Sequence, residues 1–373
     1  MKKVLFVATI YKHFLRFHIP YIKWLKEQGY IVHCAANGLE GIPFVEKLYV
    51  IDIQRSPFSI KNIKAYKDLK TVIDNEQYDL VYCHTAMGAV IARLSTRKSR
   101  LRGKTKVLYM THGFHFFKGS PVKYWIMYYP IEKFLSRYTD GIITINHEDF
   151  EIVKSHQFKN KKSYLINGIG VNTERLALAN EEQRKWLRNK NGLNEADFVL
   201  IYIAEFIHRK NHRFIIDSIP QMIKSIPNLK ILFAGRGGLL KQLQQQVFQL
   251  NIDSYVFFLG FRNDIGELIA LSDIGISASR QEGLGLNIAE EMFCGLPVVA
   301  TIDRGHKEMI VDGVNGFLFP QNSTVDFIDK ILYLYLNPAK RLEMGKEAYN
   351  SIQKFCLENS LKSMSEIFND MLK

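Results

Sequence analysis

Short apolar runs rich in β-branched and aromatic residues alternate along this chain with longer stretches of helical period. KVLFVATI, from Lys3, is followed by IPYIKWLKEQG, in which Gly29 marks a stop. IVHCAAN, LVYCHT, KVLYMTHG and GIITIN read as further strands, with IKNIKAYKDLKTVIDNEQ, MGAVIARLSTRK and PVKYWIMYYPIEKFLSRY as helices among them. Strands that are apolar throughout, rather than on alternate positions, belong in a parallel sheet covered on both faces. The βα order therefore predicts an α/β domain with helices on both sides of the sheet. The aromatic stripe YWIMYYPIEKFL is expected to face its core.

The pattern then starts again. After SYLINGIGVNTERL and a polar helical stretch from Asn180 to Asn191 come FVLIYIAEF, LKILFAGRGG, VFFLGF, IGISAS and PVVAT as strands. NHRFIIDSIPQMIKSIP, LLKQLQQQVFQLN, DIGELIALS and LNIAEEMFCG are the helices among them. Each half reads as its own doubly wound domain, with the boundary near 170–178 and no Pro/Gly/Ser-rich linker. Such domains bind ligands in the crevice at the carboxyl ends of their strands.

Length agrees with two domains, since 373 residues exceed one ordinary core and suit two of about 150–200 residues. No apolar run reaches the length of a membrane span. The apolar start is soon followed by Lys12, His13 and Arg16 without a small-residue cleavage site, so it reads as a first strand and not a signal peptide. Cys34, Cys83, Cys294 and Cys356 lie far apart with no CxxC, which points to neither zinc nor a disulfide frame and fits a reduced, cytoplasmic setting.

The net charge of +13 is unevenly placed. Residues 1–175 hold 28 Lys and Arg against 14 Asp and Glu, so the whole excess lies there. Six of the ten residues in RKSRLRGKTK, Arg97 to Lys106, are basic. This predicts either a solvated basic face or an anionic partner, for which a membrane surface fits better than a nucleic acid because no nucleic-acid reading motif accompanies the charge.

The chemistry concentrates in SRQEGLGLNIAEEMFCGLPVVAT, Ser279 to Thr301. Gly283 and Gly285 permit a tight turn and a close backbone approach by a ligand. A helix opens near Leu286, and its free amides and dipole make an anion site suited to a diphosphate. Glu290 lies about one turn into that helix, and Gly295 and Pro297 end it. Glu282 precedes the turn. Carboxylates accept charge-assisted hydrogen bonds from hydroxyl pairs, so the layout suits a sugar, a diphosphate and a ribose in that order.

Glu282 and Glu290 form an E-x7-E pattern. With the glycine turn and the Cys-Gly-Leu-Pro ending, this segment resembles the retaining, nucleotide-sugar-dependent glycosyltransferases of family 4. RGHKEMIVDGVNGFLF, AEFIHRKN and LFAGRG continue the likeness. The N-terminal segments HTAMGAVIARL and THGFHFFKG are similar to those of members that build capsule or exopolysaccharide repeat units. The resemblance implies the GT-B fold: two Rossmann-like domains facing a central cleft, residues 1–172 for the acceptor and 173–353 for the nucleotide sugar, with a helix at 354–373 crossing back. It implies that Glu282 holds the donor sugar's hydroxyls and that Glu290 takes the ribose. It places Gly283, Gly285, Leu286 and Asn287 along the diphosphate or sugar, and Lys210 on the diphosphate. His112 would reach the donor sugar, with His18 and His115 as rivals on the acceptor side. Gly235 would edge the site, and Phe261 and Arg262 would receive the base.

The donor is expected to be UDP-linked, for example to an N-acetylhexosamine. The acceptor is expected to be a polyprenyl-diphosphate-linked saccharide, at the inner face of the cell membrane and without a metal cofactor. One departure stands out. Ala204-Glu205-Phe206 occupies the place where many members carry a phosphate-binding Arg, so either Arg209 supplies the second charge or the site manages with Lys210 and the helix terminus. FHFFKG is a candidate acceptor- or lipid-facing surface, and His306 a site contact or a structural one. The alternatives are a nucleotide-sugar 2-epimerase of the same fold, a catalytically silent partner subunit that retains the fold, and a glycosidase using the two carboxylates. The phosphate-suited helix start speaks against the last.

Overall fold

A computed structural model of the chain describes residues 1–38, 41–176 and 178–373. The chain forms two units, Met1–Gly170 with Glu358–Lys373, and Val171–Leu357. In the first, β1 (Lys3–Ile10), β2 (Ile31–Asn37), β3 (Lys47–Val50), β4 (Leu80–His84), β5 (Lys106–Met110), β6 (Gly141–Thr144) and β7 (Lys162–Leu165) form one parallel sheet of order β3-β2-β1-β4-β5-β6-β7. In the second, β8 (Phe198–Ile203), β9 (Leu229–Ala234), β10 (Val256–Gly260), β11 (Ile274–Ser277), β12 (Val298–Thr301) and β13 (Gly316–Phe319) take the order β10-β9-β8-β11-β12-β13. Both are doubly wound, and each reverses its winding direction once, between β1 and β4 and between β8 and β11. At such a switch point the loops leaving neighbouring strands diverge and open a crevice.

Val4 to Ala8 in β1 and Val199 to Tyr202 in β8 have no solvent exposure, as strands covered on both faces require. The polar stretch after Asn180 forms the helix Glu181–Lys190, started by a capping box in which Asn180 and Gln183 each bond the other's backbone N–H. Leu357–Leu372 is the last helix, and from Glu358 on it belongs to the first unit. It buries Met364, Ile367, Phe368 and Met371, stacks Phe368 on Trp24 at 6.1 Å, and pairs Asp370 with Lys162 at 2.5 Å.

One expectation about the first unit is corrected. The helix Val122–Leu135 tucks Trp125, Tyr128 and Tyr129 part-way against the core but exposes Val122, Ile126, Met127, Ile131 and Phe134. The core already holds Phe114 and Phe116, stacked at 4.7 Å, so apolar residues on the helix's other face have nothing left to pack on. Within FHFFKG, Phe114 and Phe116 are 2% and 0% exposed, while His115 and Lys118 stay at the surface.

Candidate active site

In the second unit the loops after β8 and β11 flank the switch point. The chain leaves β8 through Ala204 to the short turn His208–Lys210, and leaves β11 through Ser279 to Glu282. Arg280 N donates to Arg209 O at 2.9 Å, which ties the two loops together. Lys210 Nζ lies 2.5 Å from Glu282 Oε1, and Arg209 donates to Glu282 Oε2 at 3.1 Å and to the Gln281 carbonyl at 2.6 Å. Burial pushes the Glu282 carboxyl up, but the Lys210 and Arg209 charges override it and hold it down at about 2. Glu282 is thus a buried carboxylate carrying two cations. Glu205, in the departing segment, is exposed, and Arg209 is the second cation on Glu282.

Gly285 adopts φ 101°, a left-handed conformation costly for other residues, and starts the helix Leu286–Phe293. Like any helix start, its first turn leaves the Leu286 and Asn287 amides without an intrahelical acceptor. Behind the turn, Asp303 accepts from the Glu282 and Gly305 amides at 3.1 and 2.8 Å. His306 is fully buried, with Nδ1 2.7 Å from the Thr301 carbonyl, so its contacts are those of a packing residue. Glu290 bonds Arg175 at 2.7 Å; burial raises its pKa, and Arg175 opposes that shift. Its neighbour Glu291 has no solvent exposure, and burial, then the nearby Glu290, push its pKa well above the usual range.

Gly235 closely approaches the Ala204 backbone, where a Cβ would collide with the carbonyl, and its N–H donates to Gly260 O at 2.8 Å. Phe261 is 60% exposed beneath the Arg236 guanidinium, 5.1 Å from the ring centre. Arg262 is held by Asp264 at 2.7 Å.

In the first unit, His112 follows β5 at the carboxyl end of that sheet and meets three other histidines. His13 and His18 follow β1, and His84 ends β4. One ring nitrogen of each lies within 4.8 Å of the others. Burial, then the neighbouring rings, hold His13, His18 and His84 well below the ordinary imidazole value, and burial holds His112 at about 4. His115 is not in this group; it is exposed and stacks on Tyr128 at 4.5 Å.

The chain matches the family described as Glycosyl transferases group 1 over residues 183–351, and that described as Glycosyl transferase 4-like over residues 3–146. EpsD of Bacillus subtilis, provisionally named a glycosyltransferase, is 43% identical over 99% of this chain and 96% of its own length. This chain is a glycosyltransferase of the family 4 type. An Escherichia coli relative, UDP-Gal:alpha-D-GlcNAc-diphosphoundecaprenol alpha-1,3-galactosyltransferase, is 24% identical over 88% of this chain and 84% of that protein. HepE of Anabaena, solved in complex with UDP-glucose, has a TM-score of 0.81 at 19% identity, covering 99% of this chain and 100% of HepE. The transferase therefore has the GT-B fold, with two Rossmann-like units.

Four residues at these sites were not singled out from the sequence: His13, His84, Arg175 and Arg236. His84 carried a usable signal, being a polar residue at the end of an apolar strand. Arg175 carried none, since 115 positions separate it from Glu290.

Behind Lys210, His212 is 2% exposed between the rings of Tyr202 and Phe206, 4.6 and 4.8 Å away. Burial, helped by the Lys210 charge, lowers its pKa from 6.5 to about 3. Between those values the unfolded chain binds a proton that the folded transferase refuses. The stability this ring allows is therefore complete above pH 6.5, falls as the pH drops, and levels off near pH 3. The slope is at most about 1.4 kcal/mol per pH unit. His212→Phe should flatten the acid side of the second unit's unfolding profile. Parallel wild-type and variant profiles would count against a neutral His212.

Proposed function

We propose that this protein is a retaining transferase that moves a sugar from a UDP-linked donor to a lipid-diphosphate-linked saccharide, in assembly of a capsule or exopolysaccharide repeat unit. The observation that carries the donor half is Glu282 clasped by Lys210 and Arg209 beside the start of the helix Leu286–Phe293. A diphosphate brings negative charge to two fixed cations and to outward amides, whose positive field is in place before the bond breaks. Glu282 then faces the sugar's hydroxyls, and Glu290, with Arg175, the ribose. Phe261 and Arg262 receive the base. Lys210 and Arg209 supply the positive charge at the leaving group, so the reading requires no metal there. The acceptor hydroxyl attacks the face the diphosphate leaves, and the departing phosphate takes its proton.

Two similar proteins support the choice of substrates: HepE was solved with UDP-glucose, and the Escherichia coli relative is named for a diphosphoundecaprenol acceptor. A membrane-facing role for the first unit is supported by the exposed apolar residues of the helix Val122–Leu135 and by the exposed Lys118, Lys123 and Arg137 around them. Such a surface inserts shallowly while its cations meet anionic headgroups. Among the described residues no helix is long and apolar enough to cross a membrane.

The test is a donor panel of UDP-, GDP-, ADP- and dTDP-sugars, read by thermal shift and by nucleoside diphosphate release. One UDP-sugar should raise the melting temperature, and Glu290→Ala should weaken that shift by about tenfold in concentration, the loss expected of one charge-assisted bond pair. If no nucleotide sugar stabilises the protein, the donor reading fails. Conversion of the donor to its epimer without any acceptor would identify an epimerase instead.

A further inference from the structure

The four-histidine cluster is unusual in what it lacks. Among the described residues, His84 Nδ1 and Nε2, His18 Nδ1 and His112 Nε2 are buried without a hydrogen-bond partner. A buried polar atom left unpaired costs about 1–3 kcal/mol, and no packing need explains four of them; a phenylalanine at 84 would fill the same space without that cost. The rings face one another closely. His13 Nε2 and His18 Nε2 are 3.2 Å apart, and the His18 and His84 ring centres are 4.0 Å apart. Lone pairs set this close repel unless a proton or a cation lies between them.

The backbone also holds the cluster in place. Thr85, next to His84, has φ 61° and ψ 152°, a region that β-branched residues avoid. Its hydroxyl contacts Thr9 Oγ1 at 2.7 Å, which joins the ends of β1 and β4 where the histidines start.

We propose that His13, His18, His84 and His112 form a binding site for a divalent transition-metal ion of the zinc class. The ligand set is four imidazole nitrogens with no carboxylate or thiolate, which suits zinc, copper or nickel and disfavours magnesium and calcium. A tetrahedral ion with bonds of about 2.1 Å sets its ligand nitrogens about 3.4 Å apart. The His13–His18 pair already stands at 3.2 Å. The wider pairs, up to 4.8 Å, close by rotation of His13 and His112, the two half-buried members, while the fully buried His18 and His84 stay fixed. The same two rings give the ion its way in. Bound there, it cross-links the segments after β1, β4 and β5 at the switch point of the first sheet. The assignment commits His112 Nε2 to the ion and so competes with the sugar contact that the family resemblance gives this residue.

The experiment uses the full chain freed of any histidine tag and purified without a chelating column. Elemental analysis should find about one zinc-class ion per chain. After EDTA treatment the melting temperature should fall by several degrees, and Zn²⁺ but not Mg²⁺ should restore it. Co²⁺ should give the visible absorption of a tetrahedral nitrogen site. His13→Ala, at the half-buried rim, and His84→Gln should each weaken Zn²⁺ binding at least about tenfold, while His208→Ala, an exposed histidine of the second unit, should not change it. Absence of retained ion, of a Zn²⁺-dependent shift and of a cobalt spectrum in the wild type would overturn the proposal and leave the rings to water or substrate hydroxyls. Equal Zn²⁺ affinity in wild type, His13→Ala and His84→Gln would overturn it as well. Neither result bears on the donor groups of the second unit, Glu282, Lys210 and Glu290, which the nucleotide panel reads separately.

Discussion

Lys210→Ala is expected to lower the rate of nucleoside diphosphate release by about 10²–10³-fold, the usual loss when one preorganised charge partner of a leaving group is removed. Lys210 is only 12% exposed and points at Glu282 from 2.5 Å, so its charge acts in a site with little water to screen it. Arg209 reaches the same carboxylate at 3.1 Å but is 42% exposed, so Arg209→Ala should cost less and should be felt more in donor KM than in kcat. Losing Lys210 also removes the main force that holds Glu282 ionised against its burial. The carboxyl pKa should then rise from about 2, moving the acid limb of the pH–rate profile toward neutrality. Steady-state kinetics on the panel's active donor, with both variants over a range of pH, would check this. A Lys210→Ala enzyme within threefold of wild type would remove Lys210 from the chemistry and leave it a structural partner of Glu282.

Glu132→Leu is expected to destabilise the first unit by about 3–5 kcal/mol, because it strands a charge in the core. Arg93, in the helix Ala86–Leu101, has no solvent exposure. Its guanidinium lies 2.8 Å from Glu132 Oε2 and 4.2 Å from the Tyr109 ring centre. The contact is made without the alignment of a linear hydrogen bond, so charge attraction holds the pair. Burial opposes the Arg93 charge, and Glu132, with smaller help from Tyr109 and Cys83, more than offsets it. Removing both partners is different. Arg93→Met with Glu132→Leu leaves no orphan charge and should return to within about 2 kcal/mol of wild type. Urea unfolding should resolve this, with the first unit's transition moving in the single variant and recovering in the double, while the second unit's stays in place. A single variant that costs less than about 1 kcal/mol would mean that water reaches Arg93 when its partner is gone.

The sequence by itself determined most of the elements and their order, though not the edge strands β7 and β13. Apolar strand runs, helical periods and local signals such as the Asn180 cap act over a few residues, and neighbours in the chain suffice to make them legible. The same holds for the turn at Gly285, where a left-handed φ is needed just where a glycine stands, and for Glu282 and Glu290, whose spacing around one turn sets them on either side of a helix start. Lys210 was legible for a weaker reason, through its likeness to a family segment and not through any local pattern.

Only the tertiary structure decided which groups meet. Arg175 reaches Glu290 because the chain folds back across the whole second unit. His13, His18, His84 and His112 meet because β1, β4 and β5 are neighbours in the first sheet, an order that strand composition does not encode. The direction of the helix Val122–Leu135 was decided in the same way. Its sequence is apolar nearly all round, so its own pattern defines no inner face. Phe114 and Phe116 occupy the core beneath it and turn Val122, Ile126 and Ile131 outward. Local pattern sets conformation through short-range sterics and periodicity, whereas partnership depends on which strands lie side by side, and that is settled by the packing of the whole sheet.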